Sequence, residues 1–283
     1  MIRVTVRRGD GLGDREWLGS VVARAQAGLK QAGQPLQADG LFGVDTDAAV
    51  RQFQAGAGLS QSGVVDKPTW GALEPHLEIA LSRQTKAIQA QLGQFHGDLD
   101  WVHRQEGHVG HPYWPGGASG VTLDPGVDLG QAEASVIGLF EPLTTAEQLA
   151  AMQTVAGLKQ QAAKDALDAN AVLQSIRIGR EQAEALMAFT AKPYWNGIGG
   201  RFSALRQPST IGSVQTALLS LAYNRGAPNP ALAPLQSPLA ASRWADVADL
   251  IDQMQQEQPA SGIATRRREE AFIIRSELRY LDE

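Results

Sequence analysis

Residues 101–130 contain the side chains whose types and spacing could do chemistry. Glu106 stands where a helix is expected to end, and a segment rich in glycine, proline and aromatic residues follows it without a carboxylate. Thr122, Asp124 and Asp128 come next. A glutamic acid on a rigid element that faces a second carboxylate across a cleft suits hydrolysis of a glycosidic bond. Glu106 is therefore a candidate general acid.

Local signals predict the helix that positions Glu106. Asp98 suits the N-cap of a short helix, and Gly107 suits the position that ends it. Glu106 then lies beside the negative end of the helix dipole, which disfavours an ionised carboxylate. We expect burial beside apolar groups to add to this effect, because an unperturbed glutamate has lost its proton at neutral pH. A solvated glutamate at a helix end is the alternative.

Residues 121–129 are predicted to form a β-hairpin, and the length of its loop decides which side chains face each other. With two residues in the loop, Thr122 and Asp128 point to opposite faces. With three, residues 124–126, Thr122 lies directly opposite Asp128. We expect these two side chains to share a face, by this loop or by a bulge, and to hold a water opposite Glu106. Direct displacement by that water predicts inversion, with carboxyl groups about 6.5–9.5 Å apart.

Composition favours a mainly helical protein with two domains. The chain has 283 residues, 43% of them hydrophobic, and good helix formers outnumber β-branched and aromatic residues. Its net charge of −5 gives no attraction to nucleic acid or to an anionic membrane. The absence of cysteine excludes disulfides and thiolate metal sites. No apolar run approaches the ~20 residues of a membrane span, and the basic N-terminus lacks the apolar core of a secretory signal.

Residues 15–73 form a compact unit with an internal repeat. A predicted helix over 17–32 leads to a glycine turn and a second helix over 45–54, and the second half repeats this pattern in a shorter form. In both copies a tight glycine turn precedes a threonine or aspartate that can cap the next helix.

The sequence AQAGLKQAGQPLQADGLFGVDTDAAVRQFQAGAGLSQSGVVDKPTWGAL within this unit resembles the three-helix peptidoglycan-binding domain found on many cell-wall enzymes. The resemblance covers about fifty residues. It implies a groove that holds the peptide or glycan of the bacterial wall, and it leaves the residues of that groove open.

The rest of the chain is predicted to contain a connector and a second domain. Residues 76–92 have the apolar spacing of one amphipathic helix without a flexible tract. We therefore expect a wall-binding domain over 1–75, a connecting helix over 76–94 and a catalytic domain over 95–283. Further helical patterns cover residues 144–169, 180–191, 209–223, 242–257 and 262–281.

The region around Glu106, followed by IGREQAEALM, ALLSLAYNRG and ATRRREEAFI, resembles in order the landmarks of phage-type lysozymes and of pesticin-like muramidases. The resemblance implies an α+β lysozyme-like domain with a small hairpin, in which Glu106 is the catalytic acid and Thr122 belongs to the site. The pesticin-like pattern has an aspartate six residues after its threonine, which implies Asp128 as the second carboxylate. Phage-type lysozymes place theirs earlier, where this chain has none. Asp124 also remains open, although Asp-Pro-Gly is ordinary turn chemistry.

Further side chains are candidates for contact with the glycan. Asn224 stands where the lysozyme family has an amide lining the cleft, although it also suits a helix end before a glycine. Tyr113 and Trp114 could stack on sugar faces, and so could Tyr194 and Trp195, but each aromatic side chain could equally belong to the core.

The basic and imidazole side chains are weaker candidates. Residues 266–268 match the family's arginine pair near the start of the last helix, and for at least two of them we expect a charged first turn on a solvated face. Among His103, His108 and His111, only the last two have local ligand spacing, and no HExxH motif is present. We therefore expect no metal site and no cofactor.

Together the two resemblances imply a muramidase that cleaves the β-1,4 bond between N-acetylmuramic acid and N-acetylglucosamine. Its wall-binding domain would raise the effective substrate concentration. A lytic transglycosylase on a related fold and a non-catalytic wall-binding protein are the alternatives. We expect a monomer that binds bacterial peptidoglycan but not nucleic acid, with an immunity or inhibitor protein as a partner if it is a toxin.

The cellular route remains open between two roles. We expect synthesis in the cytoplasm without a signal peptide and action on peptidoglycan in the periplasm of a target or host bacterium. A phage endolysin would reach it after holin-type release, and an antibacterial effector by specialised secretion.

Overall fold

The fold is mainly helical, with one small antiparallel sheet, as predicted. The computed structural model describes residues 2–282, apart from the side chain of residue 181. The strands are β1 (Thr122–Leu123) and β2 (Val127–Asp128). The helices are α1 (Gly19–Gln31), α2 (Val44–Gly56), α3 (Lys67–Ala80), α4 (Ser82–Leu92), α5 (Leu99–Glu106), α6 (Ala134–Ile137), α7 (Ala146–Thr154), α8 (Gln160–Ala169), α9 (Ala171–Gln174), α10 (Arg180–Thr190), α11 (Lys192–Arg201), α12 (Gly212–Arg225), α13 (Gln236–Ala240), α14 (Trp244–Asp252) and α15 (Gly262–Asp282).

The chain divides into two compact units. The first contains residues 2–105 and 192–282, and the second contains residues 106–191. Across residues 2–282, no helix combines the length and the apolar composition that crossing a bilayer demands.

Two of the predicted long helices are interrupted. The pattern over 76–92 belongs partly to α3, and α4 begins only after Leu81, so the expectation of one continuous helix there is wrong. The pattern over 144–169 is divided into α7 and α8. Gly157, with a φ of 79°, lies between them in a conformation that a helix does not allow.

A buried glutamine organises the first half of the N-terminal bundle. The Gln26 side-chain amide donates to Asp39 at 2.8 Å and to the hydroxyl of Thr46 at 3.0 Å, and its oxygen accepts from the Gly40 backbone at 2.8 Å. Gly40 has a φ of 82°, which suits glycine at this turn. This amide therefore fixes the turn against the first residues of α2.

Gln54 repeats the same arrangement in the second half. Its amide donates to Ser62 at 3.2 Å, to the Val64 carbonyl at 2.8 Å and to the Thr69 hydroxyl at 3.0 Å, and its oxygen accepts from the Gly63 backbone at 3.0 Å. The internal repeat predicted from the sequence is therefore also a repeat of buried hydrogen bonds.

The two copies differ in how their next helix begins. In the second copy Asp66 caps α3 by accepting from the Thr69 backbone at 3.1 Å, as predicted. In the first copy the N-cap of α2 is Gly43, without a side-chain bond. The capping role expected for Asp45 or Thr46 is therefore wrong; Thr46 instead serves the buried amide network.

The N-terminal segment completes the core of this bundle. Ile2, Val4 and Val6 are buried, and Val6 exchanges backbone hydrogen bonds with Val65. The indole nitrogen of Trp70 donates to the carbonyl of Val4 at 2.9 Å. Apolar residues at alternating positions of this segment explain why a short stretch outside the helices lies in the core.

In the first unit, α12 is the most enclosed helix. Every residue from position 212 to 222 is buried, and the helix packs against α11 and α15. Apart from Gln215, residues 212–222 are apolar or small, which is typical of a buried helix rather than an amphipathic one.

In the second unit, the hairpin contributes one face to an apolar core. Val121, Leu123, Val127 and Leu129 are buried in a cluster with residues of α6 to α10. Side chains alternate across a strand, so Thr122 and Asp128, which fall between them, point to the other face.

Candidate functional site

The helix that ends at Glu106 is fixed at its start by Asp98. Asp98 accepts from the Trp101 backbone at 3.1 Å and from the Ser20 hydroxyl at 2.9 Å, and it pairs with Arg24 at 2.5 Å. Burial alone would raise the pKa of Asp98, but the charge of Arg24 and these hydrogen bonds outweigh burial and hold it below its usual range. The predicted N-cap is confirmed, and it is a buried carboxylate that stays ionised.

Glu106 is the last residue of α5, and Gly107 ends the helix with a φ of 82°, as predicted. The side chain of Glu106 is exposed, so the expected burial beside apolar groups is wrong. The physical reason is that the following segment, including Gly107, Val109 and His111, is itself exposed and does not cover the carboxylate.

The hairpin has the register that the three-residue loop predicts. Thr122 pairs with Asp128, and Leu123 with Val127, which leaves residues 124–126 in the loop. Gly126 adopts a φ of 82° in that loop. The prediction that Thr122 and Asp128 share a face is therefore confirmed.

The carboxylate of Asp128 is occupied by its own surroundings. It accepts from the Gly120 backbone at 3.1 Å, from the Gly130 backbone at 2.9 Å and from the Gln131 side chain at 2.6 Å. A Cβ at Gly120 would lie 2.4 Å from this carboxylate, so the backbone approaches closely because the residue is glycine. Asp128 therefore holds the segments on either side of the hairpin together.

Asp124 is buried in the hairpin loop, where it pairs with His108. Oδ2 of Asp124 contacts Nδ1 of the imidazole, and the peptide bond from Asp124 to Pro125 is cis. An aspartate that serves only turn chemistry would be solvated. The pairing therefore gives Asp124 a fixed orientation toward a titratable partner.

Tyr113 links the two candidate carboxylates. Burial raises the pKa of the Tyr113 phenol, and the negative charges of Asp124 and then of Glu106 raise it further. Its backbone exchanges hydrogen bonds of 3.0 and 2.7 Å with Thr122, which extends the hairpin by one bridge. Glu106, Tyr113, Asp124 and the His108 partner of Asp124 therefore lie in the same unit, and the two carboxylates act on Tyr113 through their charge.

No sequence pattern predicts the pairing of His108 with Asp124. The two residues lie on opposite sides of the glycine-rich segment, and their contact depends on the path by which the chain returns to the hairpin. In the sequence, the histidines of that segment are candidates only for metal ligands, and weak ones. His111 interacts locally through Nδ1, 3.1 Å from the Pro112 carbonyl, and His103 is buried on α5 in the first unit.

The remaining glycan candidates occupy different environments. Trp114 is half-buried against the apolar core of the second unit, and its indole nitrogen donates to the Ser119 carbonyl at 3.0 Å. Asn224 is exposed near the end of α12 in the first unit. Trp195 is fully buried, which favours the core alternative, whereas Tyr194 is 39% exposed.

The arginines at the start of α15 correct an expectation. Arg267 is fully buried and pairs with Glu270 at 2.6 Å, and buried Arg266 donates to the Ser220 hydroxyl at 3.0 Å. The expected solvated face for at least two of residues 266–268 is wrong, because packing against α12 encloses this turn. Burial raises the pKa of Glu270 to about 7, although the charges of Arg267 and Arg266 oppose the rise.

Comparison with known families identifies the N-terminal bundle. Residues 19–73 match the model of the putative peptidoglycan binding domain. The chain contains a peptidoglycan-binding domain. Association with the bacterial cell wall follows, with peptidoglycan as a partner. No curated protein gives a significant match to the chain.

The peptidoglycan-binding domain is joined firmly to α5. Ser20 and Arg24, which bind Asp98, both lie on α1 of that domain. The backbone N–H of Asp98 also donates to the hydroxyl of Thr216, on α12, at 2.8 Å. The wall-binding domain and the start of the helix that carries Glu106 therefore belong to one packed unit rather than to bodies joined by a flexible linker.

Proposed function

We propose that this protein is a muramidase, which hydrolyses the β-1,4 bond between N-acetylmuramic acid and N-acetylglucosamine in peptidoglycan. The observation that supports it most is that Asp124 and Glu106 both act electrostatically on Tyr113: burial raises the pKa of its phenol, and the negative charges of the two carboxylates raise it further. A pair of carboxylic acids is the usual machinery of glycoside hydrolysis. The peptidoglycan-binding domain at residues 19–73 supports the choice of polymer.

In this proposal Glu106 is the general acid. It transfers a proton to the glycosidic oxygen as the bond to the anomeric carbon breaks. Because Glu106 is exposed, the bound glycan itself would have to exclude water from the carboxyl group.

The second carboxylate is better assigned to Asp124 than to Asp128. The oxygens of Asp128 already accept four hydrogen-bond contacts from two glycines and Gln131, which matches the capacity of a carboxylate. Asp124 has the orienting partner that a general base needs. It would take the proton of the water that adds to the anomeric carbon, with inversion of configuration.

Thr122 and Tyr113 would position the reactants. Thr122 lies beside Asp128 on the polar face of the hairpin, and its backbone holds the strand that carries Tyr113. The Tyr113 ring is half-buried and could stack on a sugar.

Release of reducing ends from purified, insoluble peptidoglycan tests this proposal. Glu106→Gln should lower the rate by about 10²–10⁴-fold, the usual contribution of a general acid, and Asp124→Asn should have an effect of similar size. Glu147→Gln is a matched control, since Glu147 is an exposed glutamate on α7 of the same unit. Full activity in Glu106→Gln would refute the assignment of the acid.

A non-catalytic wall-binding protein is the second candidate, and the exposure of Glu106 is the observation that favours it. The two functions give different results with the wild-type protein. A binder sediments with peptidoglycan without releasing soluble fragments, whereas a muramidase releases fragments with new reducing ends.

We further propose that the site of action is periplasmic peptidoglycan, reached either as a phage endolysin or as an antibacterial effector. The neighbouring genes distinguish these roles. A gene for a membrane-permeabilising protein would support an endolysin, and a gene for a small immunity protein would support an effector.

A further inference from the structure

A pocket of about 180 Å³ in the first unit contains three arginines. It lies between the N-terminal segment and α15, and Arg7, Arg15 and Arg279 line it together with Ser276. Val4 and Leu18 contribute apolar residues to the lining. Cationic groups are thus gathered around a concave surface rather than spread over a flat one.

The positive charge of this pocket is only partly compensated. Arg15 pairs with the buried carboxylate of Asp10 at 2.9 Å, and Asp10 also accepts from the Arg7 backbone at 2.8 Å. Within residues 2–282, the side chains of Arg7 and Arg279 form no salt bridge, and the pocket lining includes no acidic residue. The chain as a whole carries a net charge of −5, so this cluster is not a consequence of a generally basic surface.

The size of the pocket limits what it can hold. Sites for drug-sized ligands are usually about 300–1,000 Å³, so this one suits a single charged group and its immediate neighbours rather than a disaccharide. Guanidinium groups bind carboxylates and phosphates through paired N–H donors. A small oxyanion therefore matches both the volume and the chemistry.

We propose that this pocket binds an oxyanion of the cell wall: a carboxylate of the stem peptide or a phosphate of an anionic wall polymer. The proposal rests on the wall-binding part of the proposed function and is independent of the hydrolytic part. The pocket lies next to the peptidoglycan-binding domain in the same unit, with Leu18 directly preceding α1. It would give the chain a second point of contact with the wall.

Titration of the full chain with inorganic phosphate and with acetate tests the site directly. We expect the wild type to bind at least one of the two anions saturably. In the double variant Arg7→Gln/Arg279→Gln the affinity should fall by about tenfold or more, because charge-assisted hydrogen bonds are lost. Arg8→Gln is the matched control, since Arg8 is an exposed arginine that does not line the pocket. Absence of wild-type binding, or equal affinity in the double variant, would overturn the proposal. Thermal unfolding of each variant ensures that folded proteins are compared.

Sedimentation with insoluble peptidoglycan distinguishes the two sources, using Glu106→Gln as the background so that the polymer stays intact. If the carboxylate is the ligand, amidation of the stem-peptide carboxyls should lower the binding of the protein with an unaltered pocket to peptidoglycan, down to the level of the Arg7→Gln/Arg279→Gln variant. If the phosphate is the ligand, removal of phosphate polymers should do so. Binding that neither treatment nor the double substitution changes would contradict the pocket, while the peptidoglycan-binding domain and the hydrolytic activity would stand.

Discussion

Replacing Asp98 by asparagine measures how strongly the start of α5 is fixed to the peptidoglycan-binding domain. The substitution keeps an oxygen that can cap the helix but removes the charge opposite Arg24, which is 8% exposed. Loss of one partner of a buried ion pair costs about 3–5 kcal/mol, because the other charge remains buried without compensation. The retained cap limits the further loss, since caps contribute about 1 kcal/mol. We therefore expect Asp98→Asn to lose about 3–4 kcal/mol of unfolding free energy at pH 7.

The pH dependence of this loss has a defined sign. Because the folded state lowers the pKa of Asp98, its contribution to stability is present above the unfolded value of about 3.9 and disappears as the pH falls through the lower folded value. Urea unfolding of the two proteins at pH 7 and near pH 3 should show a difference that narrows in acid. A loss below about 1 kcal/mol at pH 7, the range of a surface pair, would refute the reasoning.

A double-mutant cycle separates the ion pair from the other contacts of Asp98. Arg24→Met removes the buried charge that Asp98→Asn leaves unpaired, so the double variant should be more stable than the sum of the single losses by about 2–3 kcal/mol. Additive losses would mean that the two side chains contribute independently, in conflict with their 2.5 Å contact.

Three further substitutions test the packing of both units. Gln54→Leu should lose about 2–3 kcal/mol in urea unfolding, because the buried groups that its amide serves lose their partner; a loss below about 0.5 kcal/mol would contradict the network. Gly130→Ala should lower the free energy of unfolding by about 1–3 kcal/mol, since its Cβ would lie 2.2 Å from the Leu158 carbonyl oxygen. The control Gly138→Ala should leave it nearly unchanged, because a Cβ there meets no atom within 4 Å. Burial raises the pKa of Glu270 to about 7 in the folded state, so folding favours its protonated form. As the pH rises from about 4.5 through 7, the free energy of unfolding of the wild type should therefore fall by roughly 3 kcal/mol relative to that of Glu270→Gln. If the two proteins change in parallel with pH, this titration does not occur.

The elements that carry the candidate site were predictable because their signals are local. For the hairpin, the sequence left a two-residue or three-residue loop open but predicted that Thr122 and Asp128 share one face, opposite the alternating apolar residues. Asp98 and Gly107 gave both ends of α5 in the same way. Turn and cap chemistry depends on a few neighbouring residues, so the sequence predicted it at these positions.

What the sequence did not predict depends on contacts between distant segments. Sequence spacing gives no indication that His108 returns to Asp124, or that the Asp128 carboxylate accepts from backbone N–H groups on both sides of the hairpin. Arg267 looks like a surface residue in its run of charges, but packing of α15 against α12 encloses it. Tertiary packing, not local preference, decided these cases.

Hydrolysis of peptidoglycan in water enriched in oxygen-18 tests the central claim most directly. Mass spectrometry of the released fragments should find one heavy oxygen at each new N-acetylmuramic acid reducing end with the wild type, and about 10²–10⁴-fold slower release of new ends with Glu106→Gln. In a separate measurement, proton NMR of the first-formed anomer should show inversion of the anomeric configuration. Fragments that end in an unlabelled 1,6-anhydro ring would instead identify a lytic transglycosylase. Intact polymer after incubation with the wild-type protein would contradict enzymatic cleavage altogether.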